Sequence, residues 1–212
     1  TIKPVATYPV RNTNTKTSEV PSTLDTTAPS NTDVTIDPID DTNDTTPAIT
    51  GTTEADTKVK VVVKDSAGNI VDQGDATVTD KTWTYTPKVD LADGEYTVVA
   101  SATDPAGNTG DSLPESFVVD TVGPELTIDD VEPTNDTTPT LSGTTDKDAT
   151  VAVEILDKAG NIVAKGPATV DAEGNWTYTP DAALPEGDYT IKAVATDPVG
   201  NTTTEISEVP FT

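Results

Sequence analysis

Lys58-Val59-Lys60-Val61-Val62-Val63-Lys64-Asp65 is the stretch that decides the fold. Val59, Val61 and Val63 alternate with lysines, apart from the apolar Val62. β-Branched residues at period two suit the pleat of a half-buried strand. Further along, Tyr96, Val98, Ala100 and Ala102 alternate with Thr97, Val99, Ser101 and Thr103 in the same way. Turn signals punctuate these runs at Ala67-Gly68-Asn69, Asp93-Gly94, Ala106-Gly107-Asn108 and Glu173-Gly174-Asn175. No stretch carries a sustained helical period, so the chain reads as all-β.

Composition alone points toward an unfolded chain. Hydrophobic residues make up 33%, aromatics 4%, and 37 acids against 12 bases give a net charge of −25. The ordered alternation outweighs that signal. The same composition excludes much chemistry. Cys, His and Met are absent, which removes thiol nucleophiles, disulfides, imidazole acid–base catalysis and the soft ligands of zinc, copper, haem and iron–sulfur sites. No apolar run approaches the ~18 residues of a transmembrane helix, so direct membrane insertion is not expected. Nothing reads as a signal peptide. Few basic residues make nucleic acid and anionic membranes poor partners. A hard cation such as Ca²⁺ suits the many carboxylates.

Self-comparison uncovers a duplication. Asn43-Asp44-Thr45-Thr46-Pro47 recurs 92 positions later as Asn135-Asp136-Thr137-Thr138-Pro139. Trp83-Thr84-Tyr85-Thr86-Pro87 recurs at Trp176-Thr177-Tyr178-Thr179-Pro180, now 93 positions later, so the extra residue falls in the turn before each Trp. Thr1–Thr23 also matches Thr190–Thr212 at 16 of 23 positions. Residues 1–25 are therefore expected to be the last two strands of a truncated preceding repeat, an F–G hairpin that needs a neighbour or is partly disordered. Residues 26–120 and 121–212 are the two full repeats. The junctions Asp25-Thr26-Thr27-Ala28-Pro29 and Asp120-Thr121-Val122-Gly123-Pro124 are short and proline-stiffened, which predicts a rod rather than a flexible tether.

Each repeat offers about seven strands, which argues for a Greek-key β-sandwich. The spacing L-x-x-G-x-Y at Leu91–Tyr96 and Leu184–Tyr189 predicts a tyrosine that caps the E–F corner through its hydroxyl. Trp83 and Trp176 are expected in the cores rather than as sugar-binding platforms. Four features recur in order: G-T-T, W-T-Y-T-P, L-x-x-G-x-Y-T, and A-T-D-x-x-G-N before a new D-T-x-x-P junction. Together they resemble the bacterial immunoglobulin-like repeats of giant surface adhesins. The resemblance implies tandem immunoglobulin-like sandwiches that carry a terminal adhesive region away from a Gram-negative cell. It further implies type I export, an extracellular location, a part in biofilm, and Ca²⁺ at domain junctions.

No local calcium loop is present, so any cation site must assemble from separate loops. Sandwich topology places the B–C and F–G loops beside the start of strand A. Asp120 is thus expected to meet Asp197, Asn201 and Asp146 or Asp148, and Asp25 to meet Asp104, Asn108, Glu54 and Asp56. The competing expectation is that Asp and Asn of D-x-x-G-N only cap a tight turn. A second acidic group, Asp37, Asp40, Asp41, Asn43 and Asp44, with Asp129, Asp130, Asn135 and Asp136 as its counterpart, reads equally as a solvated loop or a site. The functional expectation is a non-enzymatic extender, clamped by Ca²⁺ at its junctions and partnered by neighbouring repeats of the same chain. The alternative is an adhesive module that binds host glycan or receptor, or associates with itself in trans between cells.

Overall fold

The computed structural model describes residues 24–207, which fold as two β-sandwiches with separate cores. The expected hairpin at residues 1–25 lies almost wholly outside the described residues. In the first sandwich, β1 (Ile49–Thr52), β4 (Thr77–Thr79) and β5 (Thr82–Tyr85) form one sheet in the order β1-β5-β4. The facing sheet runs β3-β2-β6-β7, from β2 (Lys58–Asp65), β3 (Ile70–Asp75), β6 (Gly94–Thr103) and β7 (Thr109–Asp111). β8 (Glu115–Val119) also pairs with β6, so β7 and β8 are two halves of one last strand, interrupted at Ser112-Leu113-Pro114. The second sandwich repeats the plan. One sheet is β12-β13-β9, from β9 (Leu141–Thr144), β12 (Thr169–Val170) and β13 (Asn175–Tyr178). The other is β11-β10-β14-β15, from β10 (Thr150–Asp157), β11 (Ile162–Pro167), β14 (Tyr189–Thr196) and β15 (Thr202–Ile206).

The segment before β1 completes the immunoglobulin pattern. Thr35 and Asp37 donate their amides to Thr52 and Thr50, lying antiparallel against β1. The chain then crosses to the other sheet, where Thr42 bridges Val119 in parallel. This first strand therefore touches both sheets, as strands A and A′ of such a fold do. In the second sandwich Thr127 and Asp129 repeat the antiparallel contact with Thr144 and Ser142.

Period two is met side by side in both copies. β2 buries Val59, Val61 and Val63, and β10 buries Val151, Val153 and Ile155 in the same rhythm. Opposite them, β6 turns Tyr96, Val98, Ala100 and Ala102 inward. Trp83 and Trp176 are buried, and each gives its indole N–H to a carbonyl of the first strand: Thr35 at 3.1 Å and Thr127 at 2.9 Å. A buried indole without such an acceptor would leave a costly unpaired donor. The expected corner is present as well. Tyr96 donates its hydroxyl to Ala92 O at 2.7 Å, and Tyr189 donates to Pro185 O. Among the described residues no helix is long and apolar enough to cross a membrane.

Candidate acidic junction sites

One local structure recurs five times. Asp65–Asn69, Asp104–Asn108, Asp157–Asn161, Asp171–Asn175 and Asp197–Asn201 all read D-x-x-G-N, and all fold alike. The Asp amide donates to the Asn carbonyl, the Gly amide donates back to the Asp carbonyl, and the Gly takes a left-handed φ between 83° and 97°. The carboxylate does the rest. At Asp197, Oδ1 accepts the amides of Val199, Gly200 and Asn201, while Oδ2 accepts the Asn201 side-chain amide at 2.8 Å. Hydrogen bonds to the charged form favour it. At Asp104, the Asn108 side-chain amide and then the turn amides hold the carboxyl below its ordinary value. At Asp197, desolvation pushes upward, but the Asn201 amide and the turn N–H groups prevail and the net shift is downward.

The residues expected at the cation sites divide accordingly. Asp104, Asn108, Asp197 and Asn201 clamp the two F–G turns, and Asn108 and Asn201 also meet Asp25 and Asp120 as expected, each donating its side-chain amide to the junction residue's backbone carbonyl. Loop convergence at one end is also present. A cleft of about 440 Å³ at the first sandwich is lined by Asp25, Asp33, Glu54 and Asp104, with Lys81 beside them. Asp56, in the left-handed region at φ 63°, is not part of that lining. The second sandwich has the matching cleft, lined by Asp146, Asp148, Glu173 and Asp197, with Lys147 beside them. Asp120 is not part of that lining, and its Oδ1 caps the amide of Val122, as Asp25 Oδ1 caps Thr27. Among the described residues no three carboxylates converge closely enough to mark a metal centre.

Asp33 and Glu173 belong to these clefts and were not anticipated. Glu173 arrives through the one-residue insertion in the turn before Trp176, so a signal for it existed. Asp33 likewise lies in an insertion that the repeat offsets mark. Five members of the second acidic group, Asp37, Asp41, Asp44, Asp129 and Asp136, make structural hydrogen bonds. Asp37 accepts the Thr50 hydroxyl and Asp129 that of Ser142, both at 2.6 Å. Asp41 accepts the Val118 amide, fastening the first strand to the last. Asp44 and Asp136 cap Thr46 and Thr138 two residues on.

Sequence reasoning also missed a buried acid. Asp72 on β3 accepts the Tyr85 hydroxyl at 2.6 Å and the Lys88 amide at 3.0 Å. Burial pushes its carboxyl up, yet Tyr85 and the amides hold it below the ordinary value, while burial first and then Asp72 push the Tyr85 phenol up. Position 164 of the second copy is Ala, so this contact belongs to the first sandwich alone.

The family model described as a bacterial Ig-like domain matches residues 17–121 and again residues 128–212. Among solved structures, a tetra-tandem repeat from the extending region of a large adhesion protein is 35% identical at TM-score 0.41, over 87% of this chain and 49% of that one. The chain thus spans about half the length of that relative. Fibronectin(III)-like modules of CbhA from Clostridium thermocellum are 19% identical at TM-score 0.41, over 84% of this chain and 92% of theirs. The BSP domain of a biofilm-associated protein is 19% identical at TM-score 0.32, over 86% of this chain and 30% of that one. No curated protein matches the chain.

Proposed function

The chain belongs to the bacterial Ig-like domain family, and from that premise we propose that it is a non-catalytic extender segment of a repetitive surface adhesin. Its task is to space a distal binding region away from the cell. The observation that carries this reading is the duplication combined with the placement of aromatic side chains. Two sandwiches of one plan follow each other directly, and Trp83, Tyr85, Tyr96, Phe117, Trp176, Tyr178 and Tyr189 are all buried. A module that grips glycan needs exposed aromatic platforms, and among the described residues the cores take them all. The extracellular location and the adhesive role of the parent protein belong to the same proposal.

Ca²⁺ enters as the partner of the two acidic clefts. Each is lined by four acidic residues and one lysine from loops that meet only in the fold, with the carboxylates spread along the walls rather than converged on one point. Hard oxygen ligands and a surplus of negative charge suit that ion. Loading either cleft relieves repulsion beside a junction, and a ligand held only by the folded state stabilises it by mass action. Small-angle scattering with a thermal melt, in millimolar Ca²⁺ and then in excess chelator, tests both parts. The extender reading expects elongated scattering with the sandwiches end to end, and it fails if the two pack side by side. The Ca²⁺ part expects a higher Tm and a stiffer particle with the cation. Identical curves in the two buffers remove the ion from the mechanism.

A further inference from the structure

The five D-x-x-G-N turns share their internal hydrogen bonds, but two of them do something more. In the F–G turns the Asn side-chain amide also donates outside the turn, to the backbone carbonyl of the acidic residue that opens the junction. Asn201 Nδ2 reaches Asp120 O at 2.8 Å, and Asn108 Nδ2 reaches Asp25 O at 3.2 Å. Both of these turns carry Pro after the Asp, Pro105 and Pro198, and the other three do not. Proline fixes φ at the first corner of the turn, where no N–H is required.

The junction is gripped from the other side too. The Asp120 amide donates to Thr42 O at 2.9 Å, and the Thr121 amide and hydroxyl both donate to Asp93 Oδ1, at 2.9 Å and 2.8 Å. Thr42 and Asp93 belong to the first sandwich, and Asn201 belongs to the second. Gly123 then lies so close to β15 that an added Cβ would stand 2.7 Å from Thr203 Oγ1 and 2.9 Å from Thr202 O. Asn43 of the first sandwich lies beside Gly200 of the second, 3.7 Å from where a Cβ would be. Every backbone polar group from Asp120 N to Thr121 N therefore has a partner, drawn from both neighbours.

We propose that the F–G turn is a metal-independent clasp: Asn201, held in place by Asp197, captures the Asp120 carbonyl while Asp93 captures Thr121, and this pair of grips sets the interdomain angle. The proposal rests on the extender reading and supplies its rigid joint. Calcium in the neighbouring cleft adds stability to a joint whose geometry is already defined. Asp197 acts through Asn201 and is a positioning residue. Tandem domains without a large apolar interface move relative to each other by default, so the clasp has a measurable consequence.

The chain has no cysteine, so Ala106→Cys and Ala159→Cys place two spin labels at exposed turns of different sandwiches. Pulsed dipolar distance distributions are recorded on the full chain in excess chelator. Asn201→Ala is expected to broaden the distribution about twofold over the parent, toward the unrestrained behaviour of tandem domains. Asn69→Ala, which removes the same amide from a turn that touches no junction, leaves it unchanged. Asp93→Ala loosens the joint from the first sandwich, and it serves if Asn201→Ala fails to fold. A parent distribution as broad as that of Asn201→Ala, or an Asn201→Ala distribution as narrow as the parent, overturns the clasp and leaves the extender reading standing. A mean distance too short for end-to-end sandwiches, in Ca²⁺ as in chelator, overturns the extender reading itself.

Discussion

Gly51 has no room for a side chain in the first core. It pairs with Trp83 across β1 and β5, and an added Cβ would lie 2.0 Å from Thr35 O and 2.6 Å from the indole. Gly143 stands in the same relation to Trp176, with Thr127 O at 2.1 Å. The glycine of G-T-T is therefore a consequence of the tryptophan opposite it. A buried indole that bonds to the first strand must cross above the neighbouring strand with nothing in between. Gly51→Ala must displace either the first strand or the ring. We expect a loss of about 1–3 kcal/mol, typical of overpacking, read as a lower denaturant midpoint with unchanged slope. Unaltered stability would mean that the first strand adjusts freely and that the Trp83–Thr35 bond holds nothing. The two motifs were legible separately in the sequence, but not their dependence, because their spacing along the chain says nothing of which residues pair. Asp72 was hidden for a similar reason. An acid within an alternating strand reads as outward-facing, and only the fold shows Tyr85 and Lys88 turned toward it.

At the scale of the element, the recurrent D-x-x-G-N turn shows how a highly acidic chain makes use of its acids. The aspartates of all five turns have carboxyls held below the ordinary value of 3.8, opposed in each by some desolvation. For Asp65, Asp157 and Asp171 the leading cause is the side-chain amide of the following Asn. A group whose folded pKa is depressed contributes stability that is present above the unfolded value and lost as pH falls through the folded one. Tm should therefore decline as pH drops below about 4, the range where free aspartate titrates. Asp157→Asn, whose turn cannot titrate, should show a shallower decline, and an identical slope would mean the turn holds without its charge. The strands were legible because period two and the duplication are sequence properties, and the corner tyrosines followed from spacing alone. The clefts were half legible. Topology brought Glu54 and Asp104, and Asp148 and Asp197, to the same end; Asp33 and Glu173 arrive in insertions that the repeat offsets mark, and Lys81 joins only through loop shape. Topology also brought Asn201 to Asp120 and Asn108 to Asp25, but not the form of the contact: a side-chain amide on a backbone carbonyl, which the same letters at Asn69 and Asn161 do not make.

Over the whole molecule the charges are mostly left unanswered. Against a net charge of −25, the ion pairs among the described residues are Lys192–Glu154 at 3.0 Å and an exposed Lys158–Asp188 pair at 3.9 Å. Exposed pairs of this kind contribute little. A surplus of one sign keeps a long surface protein soluble and resists the collapse of one sandwich onto the next, at a cost in folding stability. Simple screening must then stabilise the fold even without a divalent ion. The Debye length falls from about 30 Å at 0.01 M to about 3 Å at 1 M. Raising NaCl across that range, in chelator, should add about 1 kcal/mol to each sandwich and lift Tm by roughly 4–8 °C. Ca²⁺ at millimolar concentration should exceed that gain at far lower ionic strength if the clefts take the ion as a ligand. An equal gain at matched ionic strength would mean the acids form only a diffuse field. The joint would then owe its geometry to Asn201 and Asp93, and Ca²⁺ would act as one more counterion.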